Sequence, residues 1–480
     1  MLTRLFAGAL LLMGLDRGFA QQTCSNLSGL TLPHTTITSA AVAPEGKIQI
    51  PGAGGEAGAV VAPARCAVQA ITRPTRDSEI RFELWLPASG WNGKYLQIGN
   101  GGWAGQINLA GMADPLRRGY AVAATDDGHQ SGGANLSAGW AIGHPEKLID
   151  FGYRAVHETS IQAKAIARAF FGRDAARSYF SGCSDGGREA LMEAQRYPED
   201  FDGIIAGAPA NNWSHLFTGF IWNEQALSEN PIPAAKLPVI QNAVLAACDA
   251  LDGLKDGLIE NPRACRFDPS SLVCKTADGP NCLTEGQVAT LRKIYGGPKN
   301  PKTGERIFPG YPMGVEAVPG SWAPWILPPG IQAGFGNSYY SQAVFEQAAW
   351  DFRTLDFDKD VAFGDAKAGP ALNSTNPDLR SFRANGGKLI QYHGWADAAI
   401  SPINSIDYYE SVRAFFNRFP DGRHAKADVL DFYRLFLVPG MAHCGGGIGP
   451  NDFGNGWSPT RTDPEHNILS ALEAWAERDT

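Results

Sequence analysis

The chain has 480 residues, a formal net charge of −8, 44% hydrophobic and 19% charged residues. No run of Lys and Arg reaches five, which argues against nucleic acid as a partner. A chain this long buries most of its apolar surface unaided, so its eight cysteines are not there to rescue a small core.

The N-terminus reads as an export signal. Arg4 supplies the positive start, Leu5 to Leu15 the apolar stretch, and Gly18-Phe19-Ala20 a small-residue cleavage site after Ala20. Asp16 and Arg17 leave the run too short to span a bilayer, and no later stretch reads as transmembrane. Export places the protein outside the cytoplasm, secreted or periplasmic, where an even cysteine count suits four disulfides.

The first hundred residues read as β-structure. Ile80 to Leu86 alternates apolar and polar, and Lys94 to Gly99 is a second strand running into Gly99-Asn-Gly-Gly102. Tyr120 to Thr125 is a buried strand ending at Asp126 and Asp127. Strands then alternate with helices: a helix over Ile161 to Phe171, a strand from Ser178 to Ser181, a helix over Arg188 to Arg196, and a strand from Gly203 to Gly207. Such alternation predicts an α/β fold, a parallel sheet with helices on both faces. It lapses between about Asn211 and Asp351, a stretch rich in proline and aromatics and too long for a structureless loop. It returns with a strand at Lys388 to Tyr392, a helix over Ile403 to Phe416, a strand at Arg434 to Val438 and a helix from Asn467 to Arg478. The division is an export signal over 1–20, a core over 21–210 and 351–480, and an inserted lid over 211–350.

Between predicted strand and predicted helix lies Gly182-Cys-Ser184-Asp-Gly186, a G-x-S-x-G turn. Its glycines permit a sharp turn that lifts the serine hydroxyl above the sheet as a nucleophile. His443, on a loop past the strand ending at Val438, is the best base; His393 and His129 also stand at strand ends. Asp397, just past another strand, is the best orienting acid, ahead of Asp407 inside a predicted helix. The order Ser, Asp, His is that of α/β-hydrolases. The amide of Asp185 and one from Gly101 or Gly102 would bind an oxyanion. Two cysteines strengthen the pairing, since Cys183 precedes Ser184 and Cys444 follows His443. If they are bonded, residues 443 − 184 = 259 apart in sequence become neighbours, because bridged Cα atoms lie roughly 5.5–6 Å apart.

With Trp91-Asn-Gly-Lys-Tyr95, Gly99 to Trp103, Gly182 to Glu189, Ala206 to Ala210, His393 to Asp397 and His443-Cys444, nearly all of the mature chain resembles the tannase and feruloyl esterase family. The resemblance implies an α/β-hydrolase fold with a large inserted lid domain. It implies hydrolysis of esters of hydroxylated aromatic acids, with no redox cofactor; one member acts on a terephthalate monoester. Carried over, Ser184 is the nucleophile, His443 the base and Asp397 its orienter. Eight cysteines allow 105 pairings; the resemblance selects Cys183–Cys444, Cys24–Cys66, Cys248–Cys265 and Cys274–Cys282.

Asp249, Asp252 and Asp256, with Gly253 and Gly257 between and after them, could wrap a hard cation with carbonyls of Leu254 and Leu258. Taken bare, the pattern is a pair of Asp-Gly turns; the resemblance implies a structural calcium there. In the lid, Trp322, Trp325, Phe335, Tyr339 and Tyr340 could sandwich an aromatic acyl group or be ordinary lid core. No Lys or Arg lies between Arg306 and Arg353, so nothing there would pair with a substrate carboxylate. The expected partner is a small neutral aromatic ester, with neither nucleic acid nor membrane. The alternatives are a tannase acting on gallates, a terephthalate-monoester hydrolase, another hydrolase such as a lipase or peptidase, and a binding protein on an inactive scaffold.

Overall fold

A computed structural model describes residues 23–50, 58–131, 136–418, 429–455 and 461–480. The expected export signal lies outside them. Eleven strands form among these residues: β1 Thr35–Ala43, β2 Gly46–Gln49, β3 Ala59–Ala62, β4 Arg65–Thr72, β5 Ile80–Pro87, β6 Lys94–Ile98, β7 Ala121–Thr125, β8 Arg177–Cys183, β9 Gly203–Gly207, β10 Lys388–Gly394 and β11 Tyr433–Val438. Nine join one sheet in the order β1-β4-β5-β7-β6-β8-β9-β10-β11, and β2 pairs with β3 apart from it. The strands from β1 through β4 and β5 to β7 are antiparallel. From β7 to β11 all pairings are parallel.

The sequences explain that division. β7 (AVAAT) and β9 (GIIAG) are buried at every residue, as strands covered on both faces must be. β5 alternates at its start, and β11 forms the far edge with Phe436 exposed. Helix Ala155–Phe171 covers one face, placing Val156, Ala163 and Ile166 against Phe180 and Ile204. Helices Leu109–Arg117 and Ile468–Arg478 cover the other, with Met112, Leu116, Leu472 and Trp475. The first of these was hidden from the sequence by Pro115 inside it. Its Asn108 side chain accepts from the Gly111 amide and starts the helix.

Residues 208–387, between β9 and β10, carry no sheet strand and are mostly helical, as in Trp213–Glu229, Leu237–Cys248, Glu285–Gly296 and Ile331–Ser338. One stretch here, Ala234–Asp252, is by length and composition apolar enough to cross a membrane, which corrects the expectation that none follows the leader. It is three pieces, a 3-10 turn, a helix and a second 3-10 turn. All four expected disulfides form: Cys24–Cys66, Cys183–Cys444, Cys248–Cys265 and Cys274–Cys282.

Candidate active site

The parallel strands deliver their C-terminal ends to one rim, and four loops there carry the polar groups of interest. Ser184 follows β8 with φ 66° and ψ −119°, a conformation that residues other than glycine rarely adopt. Surrounding backbone holds it there. Its amide donates to Gly207 O at 3.0 Å, and its carbonyl accepts from Gly187 at 3.1 Å and Ala210 at 3.1 Å. A Cβ on Gly182 would stand 2.5 Å from Gly186 O, so the turn closes only with glycine. Asp185 begins helix Asp185–Arg196, where its amide is one of those a helix leaves free of internal partners.

Cys183 and Cys444 are bonded with Cα atoms 6.0 Å apart. The bridge brings the loop after β11 beside the loop after β8, and Ser184 and His443 line the same cavity. Among the described residues no hydrogen bond joins the Ser184 hydroxyl to His443; such bonds are often long without substrate. His443 Nδ1 bonds Asp397 Oδ2 at 2.7 Å, leaving Nε2 for the cavity side, 3.7 Å from Cys444 Sγ. Trp325 packs edge-on against the imidazole at 5.0 Å between centroids.

Asp397 is buried and accepts from every side. Besides His443 it takes His393 Nε2 at 3.1 Å and the amides of Ala399 at 2.8 Å and Ile400 at 2.9 Å. Burial alone would raise this carboxyl; His443 and His393 outweigh it and hold it well below the usual carboxylate range. The carboxylate is thus available to orient His443 and to stabilise an imidazolium.

The rival residues have other surroundings. His393 is buried behind Asp397, its Nδ1 bonded to Ser405 Oγ at 2.7 Å. Its Nε2 faces the Ile400 carbonyl and Asp397, so Nε2 carries the hydrogen and Nδ1 accepts. His129 stacks on Trp140 at 3.8 Å, and burial pushes it down to about 4. Asp407 is exposed and paired with Arg306 at 2.6 Å.

The cavity occupies about 850 Å³. Gly101, Gly102 and Asp185 line it beside Ser184. Its other wall is apolar: Trp213, Phe217 and Phe220 from one helix, with Trp325, Ile331 and Phe335. Of the five lid aromatics expected there, Trp325 and Phe335 line it. Trp322, Tyr339 and Tyr340 are instead buried in the core of the helical region between β9 and β10. Trp322 meets Tyr295 edge-on at 5.6 Å, Tyr339 meets Phe217 at 5.4 Å, and Tyr340 bonds the Thr218 hydroxyl at 2.6 Å. Trp213, Phe217 and Phe220 were missed, although their spacing of four and three puts them on one helix face. Charged side chains also line the cavity: besides Asp185 these are Asp114 and Arg118, the latter paired with Glu473 at 3.0 Å.

Three groups of side chains have donor atoms close enough together for a cation: His157–Glu193–Asp200, Asp463–Glu465–His466 and Asp127–Asp185–Glu189, each within 4.8 Å. Asp249, Asp252 and Asp256 do not gather into such a group. Their oxygens accept from the loop's own amides, those of Gly257, Leu254, Glu260 and Leu258. Gly253 at φ 97° and Gly257 at φ 82° fold the loop back on itself. The donors are all oxygen and suit a hard cation; the carboxylates are not drawn together on one.

A family model of tannase and feruloyl esterase matches residues 66–480. The chain is 43% identical over 483 residues to an uncharacterized esterase of Xanthomonas campestris, a match covering 96% of this chain and 83% of that one. It is 33% identical to a probable feruloyl esterase B-2 of Aspergillus terreus, over 86% of this chain and 76% of the relative. Among solved structures it is similar to feruloyl esterase B from Aspergillus oryzae, with a TM-score of 0.83, 28% identity, and coverage of 95% of this chain and 90% of that one. Tannin acyl hydrolase from Aspergillus niger shares the fold, with a TM-score of 0.74, 24% identity, and coverage of 95% and 87%.

Proposed function

We propose that this chain, a carboxylic ester hydrolase belonging to the tannase and feruloyl esterase family, cleaves neutral esters of hydroxylated aromatic acids through an acyl-enzyme on Ser184. The observation that carries the mechanism is the bridge between Cys183 and Cys444, which sets His443, already bonded to Asp397, beside the serine turn. In this reading Ser184 Oγ attacks the ester carbonyl while His443 Nε2 takes its proton. The amide of Asp185 and that of Gly101 or Gly102 receive the oxyanion. His443 then gives the proton to the departing alcohol, and the same imidazole activates water to release the acid. Losing one oxyanion donor costs about 2.7–4 kcal/mol of transition-state stabilisation.

The apolar wall supports an aromatic acyl group, with Phe217, Phe335 and Trp325 as the rings in reach. The rings in reach carry no charge, and Arg118, a cation elsewhere in the cavity lining, is already paired with Glu473; this favours ferulate-type or gallate-type esters over an anionic terephthalate monoester. A panel of methyl ferulate, methyl gallate, chlorogenate and the terephthalate monoester tests this. The monoester should give the lowest kcat/KM; if it gives the highest, the substrate reading fails.

Three further proposals accompany this one. Residues 211–350 act as a lid over the site. The four disulfides support export to an oxidising compartment. The loop from Asp249 to Glu260 takes a structural calcium, with Asp249, Asp252, Asp256 and the carbonyls of Leu254 and Leu258 as donors. Chelation should then lower Tm and leave kcat/KM of the surviving fold unchanged; an unchanged Tm removes the ion.

A further inference from the structure

Beneath the turn that carries Ser184 lies a buried group of charged side chains that take no part in the scheme above, which uses only the backbone amide of Asp185. Asp127, Asp185 and Glu189 each bring a carboxylate oxygen within 4.8 Å of the others. These three side chains and Arg188 are all buried. Arg188 is engaged at all three nitrogens: its Nε donates to Asp185 Oδ1 at 2.6 Å, and its terminal nitrogens donate to the carbonyls of Gly152 at 2.6 Å and Phe151 at 3.0 Å. One guanidinium against three carboxylates leaves two negative charges uncompensated in an apolar interior, which a protein relieves by taking up protons.

The hydrogen bonds show where one proton belongs. Asp127 Oδ2 accepts from Asn100 Nδ2 at 2.9 Å, and Glu189 Oε2 accepts from the Asn100 amide at 3.2 Å. The remaining oxygens, Asp127 Oδ1, Asp185 Oδ2 and Glu189 Oε1, have no hydrogen-bond partner; of the three carboxylates Asp185 has the Arg188 guanidinium at 2.6 Å, which leaves Asp127 and Glu189 to share a hydrogen. Two ionised carboxylates have only acceptors to offer one another; a hydrogen on one of them satisfies both. Burial, then the adjacent Asp127 charge, pushes the Glu189 carboxyl well above the ordinary range, whereas Asp127 rises to about 7, chiefly through burial.

We propose that Glu189 is a carboxylic acid in the working enzyme, donating from Oε1 to Asp127 Oδ1, and that this acid–carboxylate clasp positions the oxyanion loop. The two oxyanion donors come from separate segments, Asp185 on the helix after β8 and Gly101 or Gly102 on the loop after β6. Asn100, immediately before those glycines, is where the segments are tied. Glu189 holds its amide, Asp127 and the Thr125 carbonyl hold its side chain, and its own carbonyl accepts from Gly186 at 2.9 Å. The fit leaves no slack: a Cβ on Gly99 would lie 2.8 Å from Glu189 Oε2 and 2.8 Å from Gly186 Cα. Glu189 and Asp127 are therefore positioning residues. They act through Asn100 and touch no substrate.

This inference rests on the reading of Ser184 and its oxyanion donors, so the test separates the two. Glu189→Gln keeps the shape, with its amide donating to Asp127 and its carbonyl accepting from Asn100. Glu189→Met can do neither. Glu189→Gln should keep kcat within about threefold, and Glu189→Met should lose kcat on the order of 10²-fold at nearly unchanged KM, because the donors act in the transition state. Protonation is read without turnover: an infrared difference spectrum of the resting enzyme at pH 7.5, wild type minus Glu189→Gln, should show the carbonyl band of a neutral carboxylic acid. Absence of that band, with or without a metal ion in the purified protein, overturns the proposal. So does a Glu189→Met variant with wild-type kcat. Activity surviving in Ser184→Ala would overturn the nucleophile reading instead and leave the band in place.

Discussion

The two walls of the cavity are built by different physics. The wall on the sheet side is covalent and hydrogen-bonded. A disulfide, four bonds onto Asp397 and a strained serine turn fix each group to one position. The opposite wall is made of rings, Phe217 and Phe335 stacked at 5.7 Å and Trp213 against Phe217 at 4.8 Å, held by packing alone. In the proposed mechanism, a single displaced atom on the first wall would interrupt proton transfer. A displaced ring on the second only reshapes a surface. Rate should thus be controlled from the sheet side and selectivity from the ring side.

Substitutions can break or sharpen that contrast. The largest loss is expected at Asp397→Asn, where the wrong His443 tautomer should lower kcat by about 10⁴-fold with the fold intact by circular dichroism. Next is Cys183→Ser with Cys444→Ser. Freeing the loop should reduce stability by about 2–4 kcal/mol in denaturant titration and lower kcat as His443 drifts. A double variant with normal kcat would show that packing alone holds the pair. On the other wall, Phe217→Ala or Phe335→Ala should lower kcat/KM for methyl ferulate by about 10–100-fold and change the ranking among acyl groups. Equal losses for all substrates would erase the division between walls.

The smallest effect concerns His129, which stands apart from both walls. Its folded value of about 4 lies below the ordinary histidine value, because burial disfavours the charged ring. The unfolded chain therefore binds the proton first, and stability falls as pH drops from about 6.5 towards 4. Replacing it by Phe keeps the stack on Trp140 and should flatten this slope in Tm against pH. An unchanged slope would assign it to other groups.

How much of this was legible follows from the range of each signal. The serine turn was, because Gly182, Ser184 and Gly186 lie within one turn between a strand and a helix. Asp397 and His443 were, because each sits just past an apolar strand and the cysteines flank the serine and the histidine. The rings were only half legible. Trp322 and Trp325 are three residues apart, yet one is buried in the core and the other packs against His443. Which side of a short helix faces a cavity depends on what packs behind it, and sequence spacing does not carry that. The Asp127–Glu189 pair was invisible: its members are 189 − 127 = 62 residues apart and meet only when β7 and the helix after β8 pack together.

Labelling with a fluorophosphonate, followed by mass mapping, tests the central claim that one clasped serine does the chemistry. One label per chain on the Ser184 peptide, greatly slowed in His443→Ala, is the predicted result. A label on any other serine, or an active enzyme that takes none, would contradict it.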